Sequence, residues 1–234
     1  MIAKICVSII PKSLDEALRL IEKSEERKAD FIEVRLDYIG DFKGLRDIAE
    51  CTGTPLIATV RAAECCGKFE GEEEKRMEVL LSAASSGFKY VDIELHSPQL
   101  KSIVENLLTL GVKPIISFHD FKRTPEKASL QLILKSQMKA KAYICKIVTT
   151  AQSLQDNLTL LQFLYEESGK ARIVCFAMGP LGKLSRLLSP IYGGYFTIAS
   201  LDRGFETATG QMTIEEMKTV YKALGIYDGS FGKN

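Results

Sequence analysis

The feature that most constrains the fold of this chain is a regular alternation of short apolar runs and longer amphipathic stretches. The apolar runs are rich in Val, Ile and Phe, as is typical of parallel strands that are buried on both faces. The runs are Lys4–Ile10, Phe31–Asp37, Pro55–Arg61, Tyr90–Leu95, Lys113–Phe118, Ala142–Val148, Arg172–Met178 and Tyr195–Ser200. The stretches between them are long enough for helices, so the pattern predicts repeated strand–helix units.

The amphipathic stretches carry helical periodicity and helix start signals. Apolar residues from Leu14 to Ile21 follow the i, i+3, i+4, i+7 spacing of one helix face. Ser13 precedes this stretch and Glu16 follows three residues later, which is the spacing of a capping box. The helical pattern is weakest near Gly44–Cys51 and Leu181–Leu188, where the second and seventh helices are expected.

Eight strand–helix units in 234 residues predict a single-domain (β/α)8 TIM barrel of the α/β class, a fold of typically about 250 residues. An open doubly wound sheet is the main alternative. Against that alternative, Pro11-Lys12-Ser13 after the first strand is not the Gly-rich turn of a dinucleotide-binding fold. We expect residues 1–226 to form the barrel and residues 227–234 to form a flexible tail.

Composition narrows the class of function. The chain has 31 basic and 30 acidic residues, so no strong field favours nucleic acid or an acidic membrane. No apolar run approaches the roughly 20 residues of a membrane span. The six cysteines form no C-x-x-C pair and His96 and His119 are the only histidines, so we expect no metal site. Free thiols, with no secretion signal at the start, favour a cytoplasmic location.

Ionisable residues cluster where the predicted strands end, which is where the active sites of such barrels lie. Glu33 and Arg35 are two residues apart in the second strand, so both should point into the barrel. Buried charges are costly unless paired, and we expect these two to pair with each other or with a ligand. The third and fourth strands carry further charged residues at or just after their ends, namely Arg61, Glu64, Asp92 and Glu94.

Lys146 stands in the middle of the sixth strand, between Cys145 and Ile147. Lysine is almost never buried unless it is paired. One interpretation is therefore an ion pair with a neighbouring carboxylate, which could be Glu33, Asp92 or Glu94. The other is a Schiff-base lysine, whose pKa is lowered by burial and by cations such as Arg35 and Arg61 so that the neutral amine can attack a ketone.

His119 ends the fifth predicted strand, next in order to the strand of Lys146. If the two strands pair, their backbones lie roughly 4.8 Å apart. An iminium acidifies the adjacent C–H, and a nearby imidazole can remove that proton. The two side chains together indicate chemistry α to a carbonyl, such as β-elimination or aldol cleavage.

Motifs in order along nearly the whole chain resemble type I 3-dehydroquinate dehydratase of the shikimate pathway. They are Glu33-Val34-Arg35-Leu36-Asp37, Thr59-Val60-Arg61, Ser117-Phe118-His119-Asp120-Phe121, Lys146-Ile147, Ser185-Arg186-Leu187 and Gly210-Gln211. The resemblance implies a cytoplasmic homodimeric TIM barrel that uses neither metal nor organic cofactor. It also implies syn elimination of water from 3-dehydroquinate, giving 3-dehydroshikimate for aromatic amino acid biosynthesis.

The resemblance implies a role for each matching residue. Lys146 corresponds to the Schiff-base lysine, His119 to the general acid/base and Glu64 to a catalytic loop acid. Arg186 corresponds to the arginine that clamps the substrate carboxylate. Further substrate contacts are expected at Ser8, Glu33, Arg35, Arg61, Thr207 and Gln211. Asp92 and Glu94 are expected to support the site, at least one of them by orienting the histidine or balancing the lysine.

The chain departs from the family pattern in two loops. Glu64 is followed by Cys65-Cys66-Gly67, where the family usually has glycines. The final loop reads Thr207-Ala208-Thr209-Gly210-Gln211, where the family commonly has Ser-Ala-Pro-Gly-Gln, and losing the proline frees a backbone φ angle. The polar segment from Leu201 to Met212 is a candidate lid.

Two other functions are compatible with the motifs. A class I aldolase would use the same lysine chemistry, and Gly179-Pro180-Leu181-Gly182-Lys183 partly resembles the phosphate loop of such enzymes, whereas the segment from Ser200 to Arg203 does not. A non-catalytic barrel that binds a small acid would explain the arginines. It would give no reason for Lys146 beside His119.

Overall fold

The computed structural model describes residues 3–226, and within them eight parallel strands alternate with eight α-helices. The strands are β1 (Ile5–Ile9), β2 (Phe31–Arg35), β3 (Leu56–Thr59), β4 (Tyr90–Glu94), β5 (Lys113–His119), β6 (Ile144–Thr150), β7 (Ile173–Met178) and β8 (Thr197–Ser200). The helices are α1 (Leu14–Glu26), α2 (Leu45–Glu50), α3 (Glu73–Ser86), α4 (Leu100–Thr109), α5 (Lys127–Lys139), α6 (Leu154–Glu167), α7 (Lys183–Leu188) and α8 (Ile214–Ala223). The predicted barrel is confirmed. The expected tail, 227–234, lies outside the described residues.

The strands form one sheet in the order β7-β6-β5-β4-β3-β2-β1-β8, with every pairing parallel. The Tyr195 N–H donates to the Ile173 carbonyl at 2.7 Å, which links the first and last strands in this order. The sheet therefore curves into a nearly closed barrel rather than the open doubly wound alternative.

Helices begin where their capping residues predict. The Ser13 Oγ accepts from the Glu16 N–H at 3.2 Å, which satisfies one free donor of the first turn of α1. Thr213 and Glu216 form a reciprocal capping box at the start of α8. The two helices with weak sequence signals are real but short, with six residues each in α2 and α7.

Alternation along the strands separates two cores. Outward residues such as Ile32 and Val34 pack against the helices in the largest apolar cluster. Inward residues at the amino-terminal end of the barrel form an apolar layer that includes Phe31, Tyr90 and Ile144. Because successive inward positions are two residues apart, the inward residues that follow this layer are Glu33, Asp92 and Lys146. The fold thus places an ionic layer directly above an apolar floor, at the carboxyl-terminal end of the barrel.

No helix within residues 3–226 combines the length and the hydropathy that a membrane crossing requires.

Candidate active site

A cavity of about 280 Å³ opens at the carboxyl-terminal ends of the strands. Its walls include eight of the residues expected from the sequence to form the site, namely Glu33, Arg35, Arg61, His119, Lys146, Arg186, Thr207 and Gln211. Apolar side chains from β6 and β7 complete part of the wall, among them Val148, Phe176 and Met178. The cavity is therefore half ionic and half apolar, as expected for a site that binds a small polar ring.

Lys146 is buried and paired with two carboxylates. Its Nζ lies 2.8 Å from Asp92 Oδ2 and 3.1 Å from Glu33 Oε1. Burial alone would lower the pKa of Lys146, but Asp92 and Glu33 outweigh burial and raise it above the ordinary value. The sequence interpretation of an ion pair is thus correct for these two carboxylates. The expected net lowering of this pKa by burial and nearby cations is wrong, because burial and Arg61 do act in that direction but Asp92 and Glu33 outweigh them.

Asp92 accepts hydrogen bonds from three side chains. Arg61 Nη2 donates at 2.8 Å and Ser117 Oγ at 2.7 Å, both to Oδ1, while Lys146 holds Oδ2. Burial opposes ionisation, yet Arg61 and Lys146 hold the pKa of Asp92 far below its usual range. Asp92 is therefore a permanent anion that balances Lys146, which is one of the two supporting roles expected for it.

Glu33 and Arg35 do not pair with each other by a hydrogen bond, and this corrects one of the two expectations for them. Glu33 accepts from Thr59 Oγ1 at 2.9 Å as well as from Lys146. Arg35 forms a bidentate pair with Asp37, at 2.8 and 2.7 Å. The short turn that follows β2 places Asp37 beside the guanidinium, so the local partner satisfies Arg35 first.

His119 ends β5 and lies at the mouth side of Lys146. In the β5–β6 register Lys146 is paired with Ser117, and His119 is paired with Val148. His119 therefore lies two residues nearer the mouth of the barrel than Ser117, which is the direct neighbour of Lys146 on β5. Its ring stacks on Phe121 with centroids 5.7 Å apart. Burial, together with Arg61 and Lys146, lowers the pKa of His119 well below 6.5. The imidazole is thus neutral at physiological pH and can accept a proton.

Arg186 is a buried cation without a carboxylate partner among the described residues. Its Nη1 donates to the Ile198 carbonyl at 3.1 Å, its guanidinium lies 4.2 Å from the Phe176 ring centroid, and its Nε has no hydrogen-bond partner. Burial lowers its pKa to about 9, so it remains charged at neutral pH. A guanidinium held in this state at a cavity wall is suited to bind a carboxylate through two parallel hydrogen bonds.

The loop after β8 covers one side of the cavity. Thr207 and Gln211 hydrogen-bond each other twice, from the Thr207 N–H to Gln211 Oε1 at 2.6 Å and from Gln211 Nε2 to Thr207 Oγ1 at 2.9 Å. Gly210 has φ +78°, and a Cβ there would lie 2.2 Å from the Gly179 carbonyl oxygen. Glycine is therefore required where the loop meets the end of β7.

Two of the residues expected to act on the substrate do not line the cavity, and neither do Asp92 and Glu94, which were expected only to support the site. Ser8 is fully buried on β1, beside Glu33 in the strand register. Glu64 is exposed on the short turn after β3, although the adjacent Cys65 and Cys66 do line the cavity. The catalytic role expected for Glu64 stays a prediction that this arrangement does not support.

Sequence reasoning missed Arg76. This residue of α3 is buried and reaches Glu94 Oε2 at 2.7 Å. An arginine inside an amphipathic helix normally indicates a solvated face, so its position in the sequence carried no distinguishing signal. Ser117 belonged to a recognised motif, but its hydrogen bond to Asp92 was not anticipated. Within residues 3–226, no group of three or more His, Cys, Asp or Glu side chains is arranged to hold a metal ion.

Comparison with known proteins agrees with this geometry. The family model for type I 3-dehydroquinase matches residues 5–228. A 3-dehydroquinate dehydratase of Dehalococcoides mccartyi is 39% identical over 204 residues, covering 87% of this chain and 89% of the relative. One from Thermococcus onnurineus is 37% identical over 209 residues, covering 89% and 94%.

A solved structure of 3-dehydroquinate dehydratase from Enterococcus faecalis has a TM-score of 0.82 at 26% identity, covering 94% of this chain and 93% of that one. The matching family model spans almost the whole barrel, and eight of the residues expected from the sequence to form the site line one cavity. The chain belongs to the type I 3-dehydroquinase family.

Proposed function

We propose that this protein is a hydro-lyase that converts 3-dehydroquinate to 3-dehydroshikimate through a Schiff base on Lys146. One observation carries the proposal: Lys146 and Arg186 are both buried and line the same cavity. Among the described residues, Arg186 has no carboxylate partner. The arginine supplies a site for the substrate carboxylate, and the lysine supplies an amine for its ketone. The relatives are named 3-dehydroquinate dehydratases, and 3-dehydroquinate carries both a carboxylate and a ketone, so each of the two groups has a counterpart in that substrate.

Binding begins in this proposal at Arg186. Its free Nε and its charge favour a carboxylate, and the apolar face of Phe176 holds the guanidinium plane in place. The substrate hydroxyls then meet polar groups on the opposite walls, for which Glu33, Arg35, Arg61, Thr207 and Gln211 are positioned. Ser8 stays a proposed substrate contact; it lies beside Glu33 in the strand register, and its buried Oγ has no hydrogen-bond partner among the described residues.

Imine formation requires a neutral amine, and Lys146 is an ammonium in the resting site. The neutral imidazole of His119 takes one proton, directly or through water, and the amine then attacks the ketone carbon. The resulting carbinolamine loses its hydroxyl as water when His119 returns the proton. The iminium so formed carries a positive charge where the ammonium was, so Asp92 and Glu33 stabilise it with the same contacts.

Elimination follows from the electron demand of the iminium. His119 removes a proton from the carbon next to the iminium, and the electron pair moves toward nitrogen to give an enamine. The enamine expels the β-hydroxyl, which leaves as water after accepting the proton from His119. Water then hydrolyses the conjugated imine, releasing the product ketone and the free amine. One imidazole serves both transfers because its lowered pKa keeps it neutral, with a lone pair that can take a proton, and makes the protonated form a strong proton donor.

The remaining properties are proposed from the family resemblance. We propose a cytoplasmic homodimer without organic cofactor, in which residues 1–226 form the catalytic domain, acting in aromatic amino acid biosynthesis. Glu64 would assist proton transfer only if the turn after β3 moves toward the cavity.

The activity is tested by incubating the purified protein with 3-dehydroquinate and following the conjugated enone of the product by ultraviolet absorbance. Appearance of the enone together with loss of one water by mass spectrometry supports the proposal. Release of two smaller carbonyl fragments would instead identify an aldolase. Saturable binding of dehydroquinate without turnover would identify a binding barrel.

A further inference from the structure

Arg76 connects the outer helical layer to the ionic layer inside the barrel. It lies on α3, with 3% of its surface exposed. Its Nε and Nη2 donate to the two carboxylate oxygens of Glu73 at 2.7 and 2.8 Å. Its Nη1 donates to the Val60 carbonyl and to Glu94 Oε2, at 2.8 and 2.7 Å. Every nitrogen of the guanidinium is thus held, and its inward end faces Glu94.

From Glu94 the contacts continue to the lysine. Glu94 Oε1 accepts a hydrogen bond from Arg61 Nη1, and Arg61 Nη2 donates to Asp92 Oδ1 at 2.8 Å. Asp92 Oδ2 in turn accepts from Lys146 Nζ at 2.8 Å. Charges alternate along this line, from Glu73 at the partly exposed end to Lys146 at the cavity. All members from Arg76 inward are buried, so solvent screens them little.

We propose that Arg76 is a positioning residue for the Schiff-base lysine, acting through Glu94, Arg61 and Asp92. This inference rests on the proposed function of Lys146. Arg76 balances part of the Glu94 charge from the side of the helix, so Arg61 can serve Asp92 as well as Glu94. Arg76 holds Oε2 of Glu94 while Arg61 holds Oε1, and the fixed carboxylate keeps Arg61 in one orientation at the cavity wall.

The consequence is a defined electrostatic setting for Lys146. The titratable and charged groups that face it or its partners come from six elements: Cys6 of β1, Glu33 and Arg35 of β2, Arg61 after β3, Asp92 and Glu94 of β4, His119 of β5 and Arg186 of α7. Removal of the Arg76 charge leaves Glu94 with one cation instead of two. The added negative potential at Arg61 and Asp92 favours the ammonium form of Lys146, so its attack on a ketone requires a higher pH.

The test measures borohydride trapping of dehydroquinate on Lys146 across a pH series, in the full chain. In Arg76→Met the trapping profile shifts to higher pH by about half a unit or more, and trapping at neutral pH slows about threefold or more. In Glu94→Gln the profile shifts to lower pH, because that substitution removes negative charge. Arg76→Lys, which keeps the charge, restores most of the wild-type profile.

Lys75→Met is the matched control, because Lys75 is the preceding residue of α3 and pairs only with the exposed Glu78 in the described structure. Its profile overlays that of the wild type. Opposite shifts in Arg76→Met and Glu94→Gln cannot arise from a common loss of folding, and Glu94→Gln alone remains informative if Arg76→Met does not fold. If the wild type traps substrate but these variants share its profile, the inference is overturned alone. If the wild type traps nothing, the proposed function fails and takes the inference with it.

Discussion

Lys146 and Asp92 form a buried ion pair across the barrel, with Nζ 2.8 Å from Oδ2 and with β5 between their two strands. The carboxylate cannot easily take the ammonium proton, because Arg61 holds the pKa of Asp92 far below its usual range. The lysine is therefore held as a cation in the place where the proposed mechanism forms an iminium cation. In that mechanism, activation of the amine falls to the neutral His119 and to the arrival of substrate.

Replacing Lys146 by methionine destabilises the protein in a pH-dependent way. Within residues 3–226, Lys146 is the only cation that is hydrogen-bonded to Glu33, and a buried carboxylate left without such a partner costs about 3–5 kcal/mol in the free energy of unfolding. In the wild type the pKa of Glu33 is lowered from its ordinary value. The ionised Glu33 therefore stabilises the fold at a pH above its ordinary pKa, and this stabilisation is lost as the pH falls through the lowered pKa. In the variant, burial without the lysine raises the pKa of Glu33. Mild acid then protonates Glu33 and reduces the loss of unfolding free energy.

Urea denaturation of the wild type and Lys146→Met at pH 7 and pH 5 checks this prediction. The difference in unfolding free energy narrows at pH 5, and the double variant Glu33→Gln/Lys146→Met recovers stability at pH 7. A deficit that is equal at both pH values would contradict the account of this pair.

Arg186 is expected to serve binding at the expense of stability. Arg186→Met removes a buried charge that has no carboxylate partner, so the melting temperature stays the same or rises. The same variant loses the carboxylate clamp, and kcat/KM falls roughly 100-fold or more. Thermal melts and steady-state kinetics on one preparation measure both effects. A large drop in melting temperature would show instead that this arginine is structural.

The pKa of His119 sets the acid side of the pH–rate profile. Because burial and the neighbouring cations lower it well below 6.5, the imidazole stays neutral as the pH falls through 6.5. The pH dependence of kcat/KM reports the pKa values of groups in the free enzyme. We therefore expect kcat/KM to stay constant near pH 6.5 and to decline only at lower pH. His119→Asn lowers kcat by roughly 10²–10⁴-fold. A wild-type decline centred on 6.5 would contradict the buried, neutral histidine.

Cys66 provides a probe of access to the cavity. It is exposed and lines the cavity beside Cys65, whereas the exposed Cys51 lies outside it at the end of α2. Iodoacetamide should therefore inactivate the wild type and Cys51→Ser at similar rates, with protection by substrate. Cys65→Ser/Cys66→Ser should resist. Equal inactivation of the double serine variant would place the sensitive thiol elsewhere.

Much of the barrel follows from local pattern. Apolar runs and capping residues such as Ser13 identify strands and helix starts, because burial and capping act over a few residues. Strand-end position was enough to nominate Arg61 and His119 for one cavity, since parallel strands bring their carboxyl ends together. Lys146 was nominated by its place inside an apolar strand, and Arg186 only by the family resemblance.

The ion pairs of Lys146 were among those expected from the sequence, but the partners of Arg35 and Arg76 did not follow from pattern. Arg35 pairs with Asp37 and not with Glu33, because the backbone turn after β2 places the Asp37 carboxylate beside the guanidinium. Composition alone does not predict a turn of this kind. Arg76 looked like any surface arginine, yet α3 packs so that it reaches Glu94. Both outcomes depend on distances of a few ångströms set by tertiary packing, and so does the direction of the Lys146 pKa shift.

The central claim is that Lys146 holds the substrate covalently. Borohydride reduction in the presence of 3-dehydroquinate, followed by peptide mass spectrometry, measures this directly, with Lys146→Ala as the control. The account predicts a reduced substrate adduct on the peptide that contains Lys146, no adduct in the variant, and loss of turnover in that variant. An active, folded wild-type preparation that yields no adduct on Lys146, or a Lys146→Ala variant with near-normal turnover, would contradict it.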